Sequence, residues 1–211
     1  MNIKNILAVV AHPDDLEMMG AGLMLKLKKD RVKTHVLILT NGAWTSPEGI
    51  IMRSKDDSFL EMTEIIKFMD YDSCDILDEP ALDLQFKDHL VCEVLKRIDK
   101  FDIDTIITTW DKDSHRDHRI ASEIALSASR RVQNFMMGQV NYFMKDFFTP
   151  NFFVDITNEW KQKIEALSLF RSQWERNQKD WTEFLDVISQ YYGKIIGVKR
   201  AEGFTATKIK Y

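Results

Sequence analysis

The 211-residue sequence predicts an α/β fold, a mainly parallel sheet with helices on both faces in three layers (α/β/α), closed by a C-terminal strand and helix cap. Two observations predict the sheet. Short apolar runs at residues 6–10, 34–40 and 105–109 read as buried strands, and helical stretches separate them. A third observation sets the direction of those strands. Two clusters of His and Asp follow the first and fourth strands at once, at the edge where a parallel sheet collects its ligands, a Rossmann-like arrangement.

Taken in order, the strand at 6–10 runs into Ala11-His12-Pro13-Asp14-Asp15-Leu16-Glu17, and a helix follows over 23–28. The second strand, 34–40, holds His35 as an ordinary strand histidine and stops at Asn41-Gly42. Residues 43–52 form a loop at the same sheet edge as His12. A helix over 53–69 places Phe59, Met62, Ile65, Ile66 and Met69 at core spacing. A short strand at 74–77 precedes an amphipathic helix at 90–98, which His89 opens as a surface residue near the first turn. The β-branched run 105–109 is the fourth strand.

The second cluster, Asp111-Lys112-Asp113-Ser114-His115-Arg116-Asp117-His118, comes next, and a helix from 120 to about 132 follows it. Strands are expected at 140–144 and 151–156. Thr157 is a suitable N-cap for a helix reaching about 176, with Trp160, Ile164, Leu167 and Trp174 on one face. A further helix over 181–192 ends at Gly193, and the tail 195–204 is strand-like.

Composition narrows the function. The formal charge is −4 with signs interspersed, so no basic field exists to hold nucleic acid. No apolar run approaches the ~20 residues of a membrane span. The N-terminus lacks the apolar core of a signal peptide, so a cytoplasmic protein is expected, with residues 1–211 as one domain. Cys74 and Cys92 lack a CxxC spacing and read as free thiols.

Three of the five histidines lie in the two clusters. Carboxylates crowded beside imidazoles repel one another unless a cation sits among them. His12, Asp15 and either His118 or His115 make a His₂Asp set of the kind zinc accepts, leaving its fourth position to water. Such a water loses its proton near pH ~7. Asp14 is the spare carboxylate that would take that proton, and the remaining histidine would serve the leaving group or an oxyanion. Asp117 or Asp113 would orient that imidazole. Alone, either cluster also reads as a helix cap or a charged turn. On two loops of one sheet edge, a hydrolytic metal site is the better account.

Ala11-His12-Pro13-Asp14-Asp15-Leu16-Glu17 together with Asp113-Ser114-His115-Arg116-Asp117-His118 resembles the PIG-L/LmbE-like family of zinc-dependent N-acetylsugar deacetylases. The single residue before Glu17 is similar to the branch containing the bacillithiol-pathway deacetylases. Residues 39–42, 153–157, 171–173 and 201–204 resemble the family pattern further along the chain. The resemblance implies His12, Asp15 and His118 as metal ligands and Asp14 as the base. It implies His115 as the group that stabilises the tetrahedral intermediate and protonates the amine, oriented by Asp117, and Arg53 as a sugar contact. Phe170 stands where many members carry a histidine. Members are frequently oligomeric, which allows a homo-oligomer here.

The expected function is removal of the N-acetyl group from a small N-acetylglucosamine-type sugar or glycoconjugate, with Zn2+ as cofactor and Fe2+ or Co2+ as substitutes. A metal-dependent phosphoesterase is the first alternative, although it usually wants two metals and more ligands. A sugar-binding module without turnover is the second. It has no need of Asp14 or His115.

Overall fold

The structure, a computed structural model, describes residues 3–143 and 145–210. A seven-stranded sheet forms the middle layer. Its first half comprises β1 (Asn5–Val10), α1 (Asp15–Lys29), β2 (Lys33–Thr40), the short hairpin β3 (Trp44–Thr45) and β4 (Ile51–Arg53), α2 (Lys55–Met69), β5 (Ser73–Glu79), α3 (Asp88–Phe101) and β6 (Thr105–Thr109). The second half comprises α4 (Arg116–Ala128), β7 (Asn134–Gly138), β8 (Phe152–Asp155), α5 (Trp160–Ser168), α6 (Arg171–Ile196) and β9 (Ala201–Lys208).

Strand order is β5-β2-β1-β6-β7-β9-β8. The first five are parallel, and β9 runs antiparallel to both β7 and β8. The expected α/β class with a mainly parallel sheet is therefore the observed one. β1 is central, and from Ile6 onward its residues are all buried, which is why its sequence is an unbroken apolar run. Alternate residues feed two cores. Ile6, Ala8 and Val10 pack toward α1, α2, α5 and α6, while Leu7, Val9 and Ala11 pack toward α3 and α4. Each buried Leu, Ile or Met side chain contributes about 1.5–3 kcal/mol.

The order reverses at β1, where β2 leads one way and β6 the other, and Val9 stands level with Leu37 and Thr108. The two His/Asp loops leave β1 and β6, so they flank this switch point side by side.

Several elements differ from the sequence reading. α4 starts at Arg116 instead of 120, because His115 serves as its N-cap. Phe59 is 65% exposed and lies on the rim of α2, not in the core. The strand expected at 140–144 lies earlier, at Asn134–Gly138; residues 140–143 form a loop over the sheet edge, and Met144 is outside the described residues. The helix expected to reach 176 breaks at Leu169 and Phe170, because the fully buried Phe170 pins the chain there. Glu159 stands at its N-cap position in place of Thr157.

α6 then runs unbroken to Ile196, since residues 176–181 contain no Gly or Pro to stop it. Gly193 is inside that helix. A Cβ there would lie 2.7 Å from the Val198 carbonyl oxygen, so the residue is small to admit the returning chain. The cap is Gly197, at φ 77°. The tail is a strand only from Ala201 onward. Among the described residues, no helix is long and apolar enough to cross a membrane.

Candidate metal centre

The turn after β1 is built to free one carboxylate. Asp14 sits in the left-handed region at φ 102°, a strained conformation for any residue with a side chain, and makes no side-chain cap to α1. Asp15 turns back instead. Its Oδ2 accepts from the N–H groups of Ala11 (3.1 Å) and His12 (2.9 Å), which closes the turn around the next ligand. From β2, the Thr40 hydroxyl donates to the Ala11 carbonyl at 2.8 Å.

The loop after β6 is tied as firmly. Asp113 accepts from the His115 N–H at 2.8 Å, and Arg119 donates to the carbonyls of Asp113 and Ser114 at 2.6 and 2.7 Å. His115 caps α4 with its ring, Nδ1 accepting the Asp117 N–H at 3.2 Å. His118 thereby falls in the first turn of the helix. The Thr109 hydroxyl holds its carbonyl at 2.7 Å.

Three residues from the two loops converge, Asp15 with both of its oxygens. His12 Nδ1 lies 3.3 Å from His118 Nε2 and 3.6 Å from Asp15 Oδ2, and His118 Nε2 lies 3.0 Å from Asp15 Oδ1. Ligands about 2.0–2.1 Å from a tetrahedral ion stand about 3.3 Å apart, which is the separation of His12 Nδ1 and His118 Nε2. His115 joins the same group, with nitrogens of His12, His115 and His118 all within 4.8 Å of one another, but its Nδ1 is committed to the helix.

The far side of each imidazole is held by a carboxylate. His12 Nε2 meets Asp117 Oδ2 at 3.1 Å, and His118 Nδ1 meets Asp113 Oδ2 at 3.1 Å. A carboxylate behind the ring turns the opposite nitrogen, with its lone pair, toward the centre. This changes one assignment. Asp117 was expected to orient His115 with its carboxylate. That carboxylate holds His12 and accepts the Leu82 N–H at 2.7 Å, and only the Asp117 backbone touches His115. Asp113 is the residue that orients His118.

The electrostatics match a centre that asks for positive charge. Burial opposes protonation of His12, but Asp15 and Asp117 outweigh it and lift the imidazolium to about 9. His118 is raised to about 10, again against burial, by Asp15 and Asp113. Burial pushes the Asp14 carboxyl up to about 6, with the Arg53 guanidinium pulling the other way. Burial and the fields of His118 and His12 push His115 down to about 4. With Nδ1 accepting, its neutral ring carries the proton on Nε2.

A cavity of about 380 Å³ opens over these residues and is lined by His12, Asp14, Asp15, His115 and His118. Its walls add Trp44 from β3, Tyr142 and Phe143 from the loop after β7, and Gln173, Asn177 and Trp181 from α6. The sequence placed the loop 43–52 at this sheet edge but did not single out the α6 face. The Gln173, Asn177, Trp181 spacing of four residues was the available signal. Arg53 was expected to hold the sugar. It borders the cavity but is only 3% exposed, with Nη1 donating to the Pro13 carbonyl at 3.2 Å and 3.5 Å from Asp14 Oδ2, and Nη2 paired with Glu61 at 3.0 Å. Its partners are therefore the Asp14 turn and Glu61. Phe170 is fully buried, its ring 5.7 Å from the Arg53 guanidinium.

Comparison with known proteins bears on the family and the fold. A profile of the PIG-L family, described as GlcNAc-PI de-N-acetylase, matches residues 7–129, which include both loops. A diacetylchitobiose deacetylase from Thermococcus kodakarensis is 25% identical over 227 residues, covering 96% of this chain and 82% of the relative. Among solved structures, N,N'-diacetylchitobiose deacetylase from Pyrococcus horikoshii superposes with a TM-score of 0.83 at 22% identity, covering 98% of this chain and 85% of that one. GalB, the 4-carboxy-2-hydroxymuconate hydratase from Pseudomonas putida, superposes with a TM-score of 0.80 at 16% identity, covering 99% and 98%. Those two likenesses concern the fold, which by itself carries more than one chemistry.

Proposed function

This chain belongs to the PIG-L family, and from that membership we propose that it is a zinc-dependent hydrolase that removes the N-acetyl group from an N-acetylglucosamine-type sugar or glycoconjugate. The observation that carries the reading is the triangle of His12 Nδ1, Asp15 and His118 Nε2, with a carboxylate behind each imidazole. These three residues would hold the metal, and the donor set also suits Fe2+ or Co2+. A bound divalent ion would supply Lewis acidity toward water and toward the amide carbonyl.

The chain's own residues account for the proton traffic. Asp14, with its raised carboxyl at about 6 and no cap to satisfy, takes a proton from the attacking water as the carbon–oxygen bond forms. His115 presents an Nε2–H to the developing oxyanion. With its Nδ1 taken up by the Asp117 N–H, we assign this ring to the oxyanion and give the proton for the amine to Asp14 in place of the expected His115. The proton on Asp14 goes to the amide nitrogen as the carbon–nitrogen bond breaks, giving acetate and a free amine. Arg53 holds the Asp14 turn while this happens. Trp44, Tyr142 and Trp181 offer apolar faces to a sugar ring, a small-molecule partner that fits a cavity of about 380 Å³.

The test is acetate release from a panel of N-acetylglucosaminyl compounds, using protein stripped of metal and then reloaded with Zn2+. Release that is lost on stripping and restored on reloading is expected. Phosphate release from phosphomonoesters without acetate release would overturn the reading, as would silence across the panel.

A further inference from the structure

The helix that carries Asp15 is broken one turn after it, and a buried ion pair from the far end of the chain fills the break. Gly20, inside α1, has φ −152° and ψ 16°, which is not helical. In an unbroken helix the Gly22 N–H would donate to the Met18 carbonyl and the Leu23 N–H to that of Met19. Here the Gly22 N–H donates to Glu202 Oε1 at 2.9 Å and the Leu23 N–H to Glu202 Oε2 at 2.7 Å. The Met18 carbonyl accepts from Lys163 Nζ at 2.7 Å, and the same ammonium meets Glu202 Oε1 at 2.7 Å. An ammonium and a carboxylate have thus been inserted into a single backbone hydrogen bond. The acceptor is given to Lys163 and the donor to Glu202.

Both side chains are buried, at 2% and 5% exposure, and the backbone leaves space for them. A Cβ on Gly22 would lie 2.5 Å from Ile156 Cγ2 and 3.0 Å from Glu202 Oε1. A fully desolvated pair is a costly way to satisfy two N–H groups and a carbonyl that the helix would otherwise satisfy by itself. What the break achieves is a change of direction. The segment N-terminal to it holds Asp14, Asp15 and Met18, all of which line the cavity, while the segment beyond it packs on the core.

We propose that Lys163 and Glu202 are positioning residues of the metal centre, which keep α1 broken at Gly20 so that Asp14 and Asp15 face His12 and His118. This rests on the metal reading above. Lys163 lies on α5 and Glu202 on β9, so the C-terminal part of the chain sets the geometry of a site whose ligands all lie before residue 119.

The test uses Lys163→Met/Glu202→Met, in which neither charge is stranded and the Gly22 N–H is free to close on the Met18 carbonyl. Thermal unfolding reports the fold, and Co2+ titration of the metal-stripped protein reports affinity and the visible ligand-field spectrum. The expected variant unfolds cooperatively, binds Co2+ about tenfold or more weakly, and shows an altered spectrum. Should the double variant not fold, Glu202→Gln keeps the shape of the carboxylate and carries the same two readouts. A folded variant with unchanged Co2+ affinity and spectrum would overturn the positioning role alone. No Co2+ binding by the unaltered protein would overturn the metal reading and this one with it.

Discussion

Asp117 reaches His12 and His115 by different parts of itself. Its carboxylate stands 3.1 Å from His12 Nε2, and its backbone N–H donates to His115 Nδ1 at 3.2 Å. Only the first contact depends on the side chain. Asp117→Asn should therefore weaken zinc binding by about 10–100-fold, as loss of a carboxylate behind a metal-bound imidazole does, while His115 stays in place. Zinc affinity by competition with a chelating dye is the check. An unchanged affinity with reduced turnover would return Asp117 to His115.

Metal binding should release protons. Asp15, Asp113 and Asp117 hold His12 and His118 protonated well above their ordinary value, at about 9 and about 10, and a ligand nitrogen must shed its proton. At pH 7 the expected release is about two protons per metal, with affinity falling about a hundredfold for each unit the pH drops. Calorimetry in buffers of different ionisation enthalpy measures the count. Zinc binding with no buffer dependence would contradict it.

Arg53 separates two roles by kinetics. It is buried and tied to the Pro13 carbonyl, Asp14 and Glu61, so Arg53→Met should lower kcat by about tenfold or more while KM changes less. A sugar contact would show the opposite split, with KM raised and kcat kept.

Glu17 gives a pH dependence to stability. Burial raises its carboxyl from 4.5 to about 7, although Tyr71 donates to it at 2.6 Å. The folded protein then holds this proton more tightly than the unfolded chain. Its contribution is full below pH 4.5 and is lost as pH rises through about 7. Glu17→Gln keeps an acceptor for Tyr71 and removes that loss. The metal-stripped variant should be more stable than the unaltered protein at pH 8 by about 1–3 kcal/mol, and close to it at pH 4.5. Urea unfolding at the two pH values decides. Equal stability at pH 8 would mean that Glu17 ionises freely in the fold.

The sheet was legible because buried parallel strands are written as apolar runs, and residues 6–10 and 105–109 could be little else. That the two His/Asp loops would meet followed from their position after strands. Which carboxylate stands behind which imidazole did not follow. Asp113 and Asp117 are both within five residues of His118, and only the start of α4 at Arg116 sorts them. A histidine ring used as an N-cap leaves no pattern in composition. The C-terminal helices were misdrawn for a related reason. Trp160 to Trp174 keeps helical spacing across the break at Phe170, and burial of that ring is a tertiary event. The break in α1 was hidden in the same way, since its cause lies on α5 and β9.

The central claim is that two sheet-edge loops hold one metal and that Asp14 moves the proton beside it. The most direct measurement is zinc content and acetate release for Asp14→Asn beside the unaltered protein. About one zinc per chain in both, with acetate release lost by about 10²–10⁴-fold in the variant, is the predicted result. Full release by the variant, or loss of zinc together with release, would contradict it.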